Sequence, residues 1–269
     1  LGSVNSDRVG NPGIVVLTNG NYVVRTSNWD NGAITNVGAI TWCDGTLGLS
    51  GLVSSSNSLV GATSSDQIGS SGVLALTNGN YVISSSNFDN GSLVNAGAVT
   101  WCDGSTGRTG VVNSSNSLVG GITSDAVGTV IAQNSGNYIV NSSSWDNGTL
   151  VNAGAVTFGN GLAGVTGLIN SCNSILGTVA PAATSVVYNP VYGYSLVGRF
   201  RENRVIAVTS IAGTPTLATH LQSVSAGVSG TSPVSLIAGN GCNIIAMIQP
   251  AGASPVTGNV NARTWIESS

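Results

Sequence analysis

The sequence predicts an all-β repeat architecture of four-stranded antiparallel units, β-propeller-like, followed by a small C-terminal β-sandwich-like module. Three observations lead to it. The stretch SNWDNGAITNVGAITWCDG at residues 27–45 returns as SNFDNGSLVNAGAVTWCDG at 86–104 and as SSWDNGTLVNAGAVTFGNG at 143–161. Short β-rich runs alternate with Asn-Gly and Asp-Gly dipeptides, which mark tight turns. No window sustains the i, i+3, i+4, i+7 apolar spacing of a helix.

The period is set by Asp7, Asp66 and Asp125, each 59 residues from the next. Within one period the runs GIVVL (13–17), NYVVRTS (21–27), VGAITW (37–42) and LSGLVSS (49–55) are expected to be four strands. The turns between them fall at Asn19-Gly20, Asn31-Gly32 and Asp44-Gly45, where Gly supplies a positive φ. LGSVNSDRVG at residues 1–10 matches the unit ends LVGATSSDQIG and LVGGITSDAVG, so the sequence is expected to open in the tail of a unit and to derive from something longer. A shortened fourth unit is traced at residues 185–210, with YSLVGRF in place of NYVVRTS and NRVIAVTS in place of the GAVTW strand; its WDNG loop is lost. The repeat domain is thus expected at residues 1–211. From 212 to 269, short apolar runs separated by Pro-containing turns read as a separate small β module.

Such repeats stack so that each unit covers its neighbour, and radial repetition leaves only short sheet edges exposed. That protection matters in a chain with 6% charged residues and no Lys among its seven basic residues, all of which are Arg. A net charge of −3 leaves no basic stripe for phosphates, which argues against nucleic acid and anionic membrane surfaces as partners. No run approaches the roughly 18 apolar residues of a membrane span.

The residues GNYVV, WDNG and NAGAVTW, as at 79–83, 88–91 and 95–101, resemble those of a family of uncharacterised bacterial extracellular repeats and, more distantly, FG-GAP repeats of integrin-type propellers. The resemblance covers roughly residues 1–211 and implies an extracellular or cell-surface protein. Calcium-binding FG-GAP blades place several Asp or Asn oxygens in one loop, because the cation wants roughly six to eight oxygen ligands. The corresponding loop here, LTNGNY at 76–81, has no carboxylate, so no metal site is expected.

Trp29, Asp30, Phe88, Asp89, Trp145 and Asp146, the aromatic–Asp pairs of the WDNG and FDNG loops, are the candidate ligand or partner residues. Exposed rings would stack on sugars, and the carboxylates would accept from hydroxyls. The competing expectation is structural: a short carboxylate caps backbone N–H groups in its own turn, and a large ring fills the wedge between units. Trp42, Trp101 and Phe158 read more strongly as core. Cys43 and Cys102 hold equivalent positions and are expected to be buried thiols, with pairing of Cys172 and Cys242 left open. RFREN at 199–203 reads either as a dock for a carboxylate or as a solvated strand. His220 is the sole histidine, and no G-x-S-x-G elbow occurs, so neither catalytic residues nor cofactors are expected. Together these features favour a non-enzymatic structural or adhesive protein that assembles with copies of itself or other surface components into a fibre or surface layer. A carbohydrate-binding lectin-like propeller, with glycans as partners, is the alternative.

Overall fold

A computed structural model describes residues 1–181, 184–191, 193–202 and 204–209, together with the backbone of Ser235–Ala238 and Ile245–Pro250. The described chain is all-β; its only helical segments are short 3-10 turns at Asn5–Asp7 and Phe200–Glu202. The first unit supplies β1 (Pro12–Val16), β2 (Tyr22–Thr26), β3 (Ala39–Cys43) and β4 (Leu59–Val60). The second supplies β5 (Gly72–Ala75), β6 (Tyr81–Ser85), β7 (Ala98–Cys102), β8 (Gly110–Val111) and β9 (Leu118–Val119). The third supplies β10 (Thr129–Ala132), β11 (Tyr138–Ser142), β12 (Ala155–Gly159), β13 (Gly167–Leu168) and β14 (Ser174–Leu176). In the fourth, β15 (Thr184–Asn189), β16 (Tyr194–Arg199) and β17 (Arg204–Thr209) are joined by β18 (Ser235–Ala238) and β19 (Ile245–Pro250).

Each unit forms an antiparallel meander, and short parallel strands cross between the first three. In the first sheet β1, β2, β3 and β4 pair in order, and β4 then pairs parallel with β8 of the second unit. Likewise β9 of the second unit pairs parallel with β13 of the third. LSGLVSS was therefore misread as a fourth strand. That place belongs to Leu59–Val60, whose side chains are fully buried, while the counterparts of LSGLVSS in later units are the two-residue crossing strands. Of the expected C-terminal module, 212–269, only the backbone of β18 and β19 is described; β19 pairs with β17, in the fourth unit's own sheet. The rest lies outside the described residues.

Three apolar cores lie between units, and a fourth, of Trp29, Val37, Ala39, Val53 and Val60, lies within the first. One apolar cluster combines Val23, Ile40 and Leu59 of the first unit with Tyr81, Ile83 and Phe88 of the second. The next combines Val82, Val99 and Leu118 with Tyr138, Val140 and Trp145, and a third joins Ile139 and Val156 to Val197 and Ile206. Because the side chains of a strand alternate between faces, β6 buries Tyr81 and Ile83 toward one neighbour and Val82 toward the other, and all five of its residues are buried.

Glycine does two different jobs in the turns. Gly32, Gly91 and Gly148 of the WDNG loops adopt φ of 62°, 66° and 62°, as the Asn-Gly signal predicts. Gly45 and its equivalents Gly104 and Gly161 do not have positive φ; a Cβ on Gly104 would lie 1.7 Å from the Gly79 carbonyl oxygen, so backbone contact is what excludes a side chain. Gly104→Ala is accordingly expected to cost about 3 kcal/mol or more. Gly91→Val, which meets only conformational strain, should cost about 1–3 kcal/mol. Denaturant unfolding of the two variants ranks them.

Candidate functional site

The three repeated Asp sets converge on the junctions between units. Asp66 is fully buried: its Oδ2 accepts the Ala62 and Thr63 N–H groups, both at 2.8 Å, and its Oδ1 accepts the Asp89 N–H of the following unit at 2.9 Å. Asp89 in turn accepts the Asn95 N–H at 2.7 Å, which fixes the left-handed turn at Asn95, φ 52°. The same relay runs from Asp125, through Asp146, to Asn152 and from Asp7, through Asp30, to Asn36. At that last junction Leu1–Gly10 takes the part of a preceding tail: Val53 donates to the Leu1 carbonyl as Val112 donates to Val60.

Burial raises the carboxyls of Asp66 and Asp125 above the ordinary range, against the lowering effect of their backbone donors. For Asp7, burial acts in the same sense, but bonds from Val4, Asp30 and Ser3 prevail and hold it below that range.

A second set of bonds crosses the opposite end of two junctions, those from the first unit to the second and from the second to the third. The Gly104 carbonyl accepts from Asn19 Nδ2, Asn21 Nδ2 and Trp42 Nε1 of the preceding unit at 2.8, 2.8 and 2.9 Å. The Gly161 carbonyl takes the same three bonds from Asn78, Asn80 and Trp101. These amides, read from sequence only as turn residues, were the missed members of the site; the signal for them is the N-G-N triplet repeated in phase with WCDG. Trp42 also packs flat on the next turn, where a Cβ on Gly107 would lie 2.6 Å from Trp42 Cβ.

Trp29, Phe88 and Trp145, read either as stacking platforms or as rings that fill the wedge between units, are 4%, 2% and 6% exposed and belong to buried apolar clusters. They offer no open face for stacking. Asp30, Asp89 and Asp146 remain half-buried. Trp42, Trp101 and Phe158, read as core, are half-buried, and the two tryptophans lie across junctions. Burial raises the thiol of Cys43 and pushes that of Cys102 up to about 12, so both stay unionised at neutral pH. Both are free, whereas Cys172 is disulfide-bonded to a residue outside the described ones.

The junction to the fourth unit is built differently. Ala182 stands where the tail Asp would be, and Glu202 accepts the Thr178 N–H at 2.8 Å while pairing with the fully buried Arg199 at 2.6 Å. At Arg199, RFREN is therefore neither solvated nor free to dock a partner's carboxylate: the guanidinium is buried and its Nη2 pairs with Glu202 of the same segment. Among the described residues no cluster of three or more metal-ligating side chains occurs.

This geometry defines a class of protein, a repeat array whose consecutive units bond across shared junctions. The chain belongs to the family described as a repeat of unknown function (DUF5650), which matches residues 16–70, 75–129 and 132–185. No curated protein matches it.

Asp66→Ala strands three backbone donors and is expected to lose about 2–4 kcal/mol, clearly more than Asp44→Ala, whose partners lie in an exposed turn. Chemical denaturation distinguishes them. At Glu202 burial raises the pKa, but the Thr178 N–H and Arg199 lower it further, so the net shift is downward from 4.5. Its stabilisation is thus present above 4.5 and lost as pH falls through the lowered value. Protection of the Thr178 amide, relative to its intrinsic exchange rate, should fall on acidification below that range, and Glu202→Gln should flatten the dependence.

Proposed function

We propose that this protein is a non-enzymatic structural or adhesive component of the extracellular space or cell surface. Its units serve as building blocks of a fibre or surface layer, with copies of itself or other surface components as partners. The observation that supports this reading is that the triplicated polar groups are spent on one another. The tail aspartates, the WDNG aspartates and the N-G-N amides all bond across or within junctions, so the feature that the chain repeats is the one that joins units. Catalysis or ligand capture would need such groups turned outward. Closure of the units into a ring, as the FG-GAP likeness implies, belongs to this proposal, as does secretion. No described helix is long and apolar enough to cross a membrane.

A glycan array probed with the folded chain is expected to show no saturable binding, and negative-stain microscopy is expected to show extended or layered assemblies. Saturable binding to a defined sugar, combined with monodisperse single particles at all concentrations, would replace this reading with a lectin.

A further inference from the structure

The first unit carries an apolar face whose equivalents in the second and third units are covered. In the second unit Val73 and Ala75 pack against the core shared with the first unit; in the third, Val130, Ala132 and Val165 pack against the core shared with the second. Their counterparts in the first unit are Ile14, Val16 and Leu49, which are 60%, 70% and 50% exposed, and the adjoining Leu47 is 88% exposed. These side chains are larger than most of those they correspond to, the reverse of the polar outer face that caps a finished repeat stack. Polar groups follow the same pattern. Gly104 and Gly161 are buried beneath a preceding unit, and each receives three N–H groups on its carbonyl; Gly45 is exposed.

We infer that this face is a docking surface for a further repeat unit of the same family, one bearing a Trp at the Trp42 position and the N-G-N amides. Its Trp Nε1 and two Asn amides would donate to the Gly45 carbonyl. Its ring would lie on Gly48, the counterpart of Gly107, and Ile14, Val16 and Leu49 would enter a shared core. The internal repetition specifies this occupant, since the same surface is twice covered in the same way within the chain. The fourth unit of a second copy lacks the chemistry, because Ala207 stands at the Trp42 register position, opposite Leu196 as Trp42 is opposite Val23. This inference rests on the structural reading above and names the kind of partner that one face takes.

The test extends the full chain by placing a copy of residues 70–118 directly before Leu1, which completes a unit around the Leu1–Gly10 tail. Amide exchange is then compared between the parent and the extended chain. The expected result is exchange slower by about tenfold or more at residues 14–16 and 45–49, with a higher melting temperature. The gain should be lost when the tryptophan of the added copy alone is replaced by Ala, and also in the Leu49→Glu variant, whose exposed side chain leaves the parent unchanged. Unchanged exchange at residues 45–49 in the extended chain, whether or not the added unit is itself protected, overturns the inference. So does a parent chain that self-associates by light scattering and becomes monomeric on Leu47→Asp, since that assigns the face to a second copy. Sugar binding by either chain would count against the structural reading and leave the docking result standing.

Discussion

A buried carboxylate shared between consecutive units is the constraint on which the rest depends. Asp66 collects two N–H groups from its own tail and one from the next unit's FDNG loop, and that loop lies over the ring of Phe88 in the inter-unit core. The polar bond and the apolar contact are therefore formed together. Removing a carboxylate that satisfies three buried donors costs more than a hydrogen bond at the surface, since the donors lose water as well as their partner. The strict recurrence of Asp, WDNG and Asn-x-Gly follows from geometry, because each unit must present both halves of the same joint.

Three of the apolar clusters span pairs of units and one, around Trp29 and Val60, lies within the first, so much of the stability resides in the junctions. The first two junctions hold a buried aspartate among backbone donors, with amides and tryptophan at the other end and, among the described residues, no basic side chain paired to the carboxylate. The last exchanges the tail Asp for the Arg199–Glu202 pair, whose guanidinium is wholly buried and also donates to the Ala153 carbonyl. A buried ion pair is weak evidence of added stability, because desolvation offsets the attraction. Its consequence is a joint that titrates with the opposite sign from those at Asp66 and Asp125.

Much of this was legible in the sequence. The period, the first three strands of each unit and the identity of Leu1–Gly10 as a tail follow from spacing and from alternation of apolar residues. The aspartates were read as turn caps, which is half of what they do. Their bonds to the next unit were not legible, because sequence shows the neighbours along the chain and not those across a sheet. The fourth strand was misplaced for a related reason: LSGLVSS has the apolar content of a strand, but its counterparts pair with another unit, while the shorter Leu59–Val60 completes the meander. The WDNG aromatics stay open between two readings in the sequence because a position beside a turn does not show on which side the ring lies; the structure buries them in apolar clusters. The burial of Arg199 is not legible in RFREN because Glu202, which also accepts the Thr178 N–H, meets it only after the loop has folded.

Site-resolved amide exchange on Asp66→Ala is the most direct test of junction-based folding. If the carboxylate ties consecutive units together, the Asp89 N–H, 23 residues away and in the following unit, should lose protection in step with Ala62 and Thr63. Loss confined to Ala62 and Thr63, with Asp89 as protected as in the unaltered chain, would show that the aspartate only caps its own turn and would contradict the shared joint.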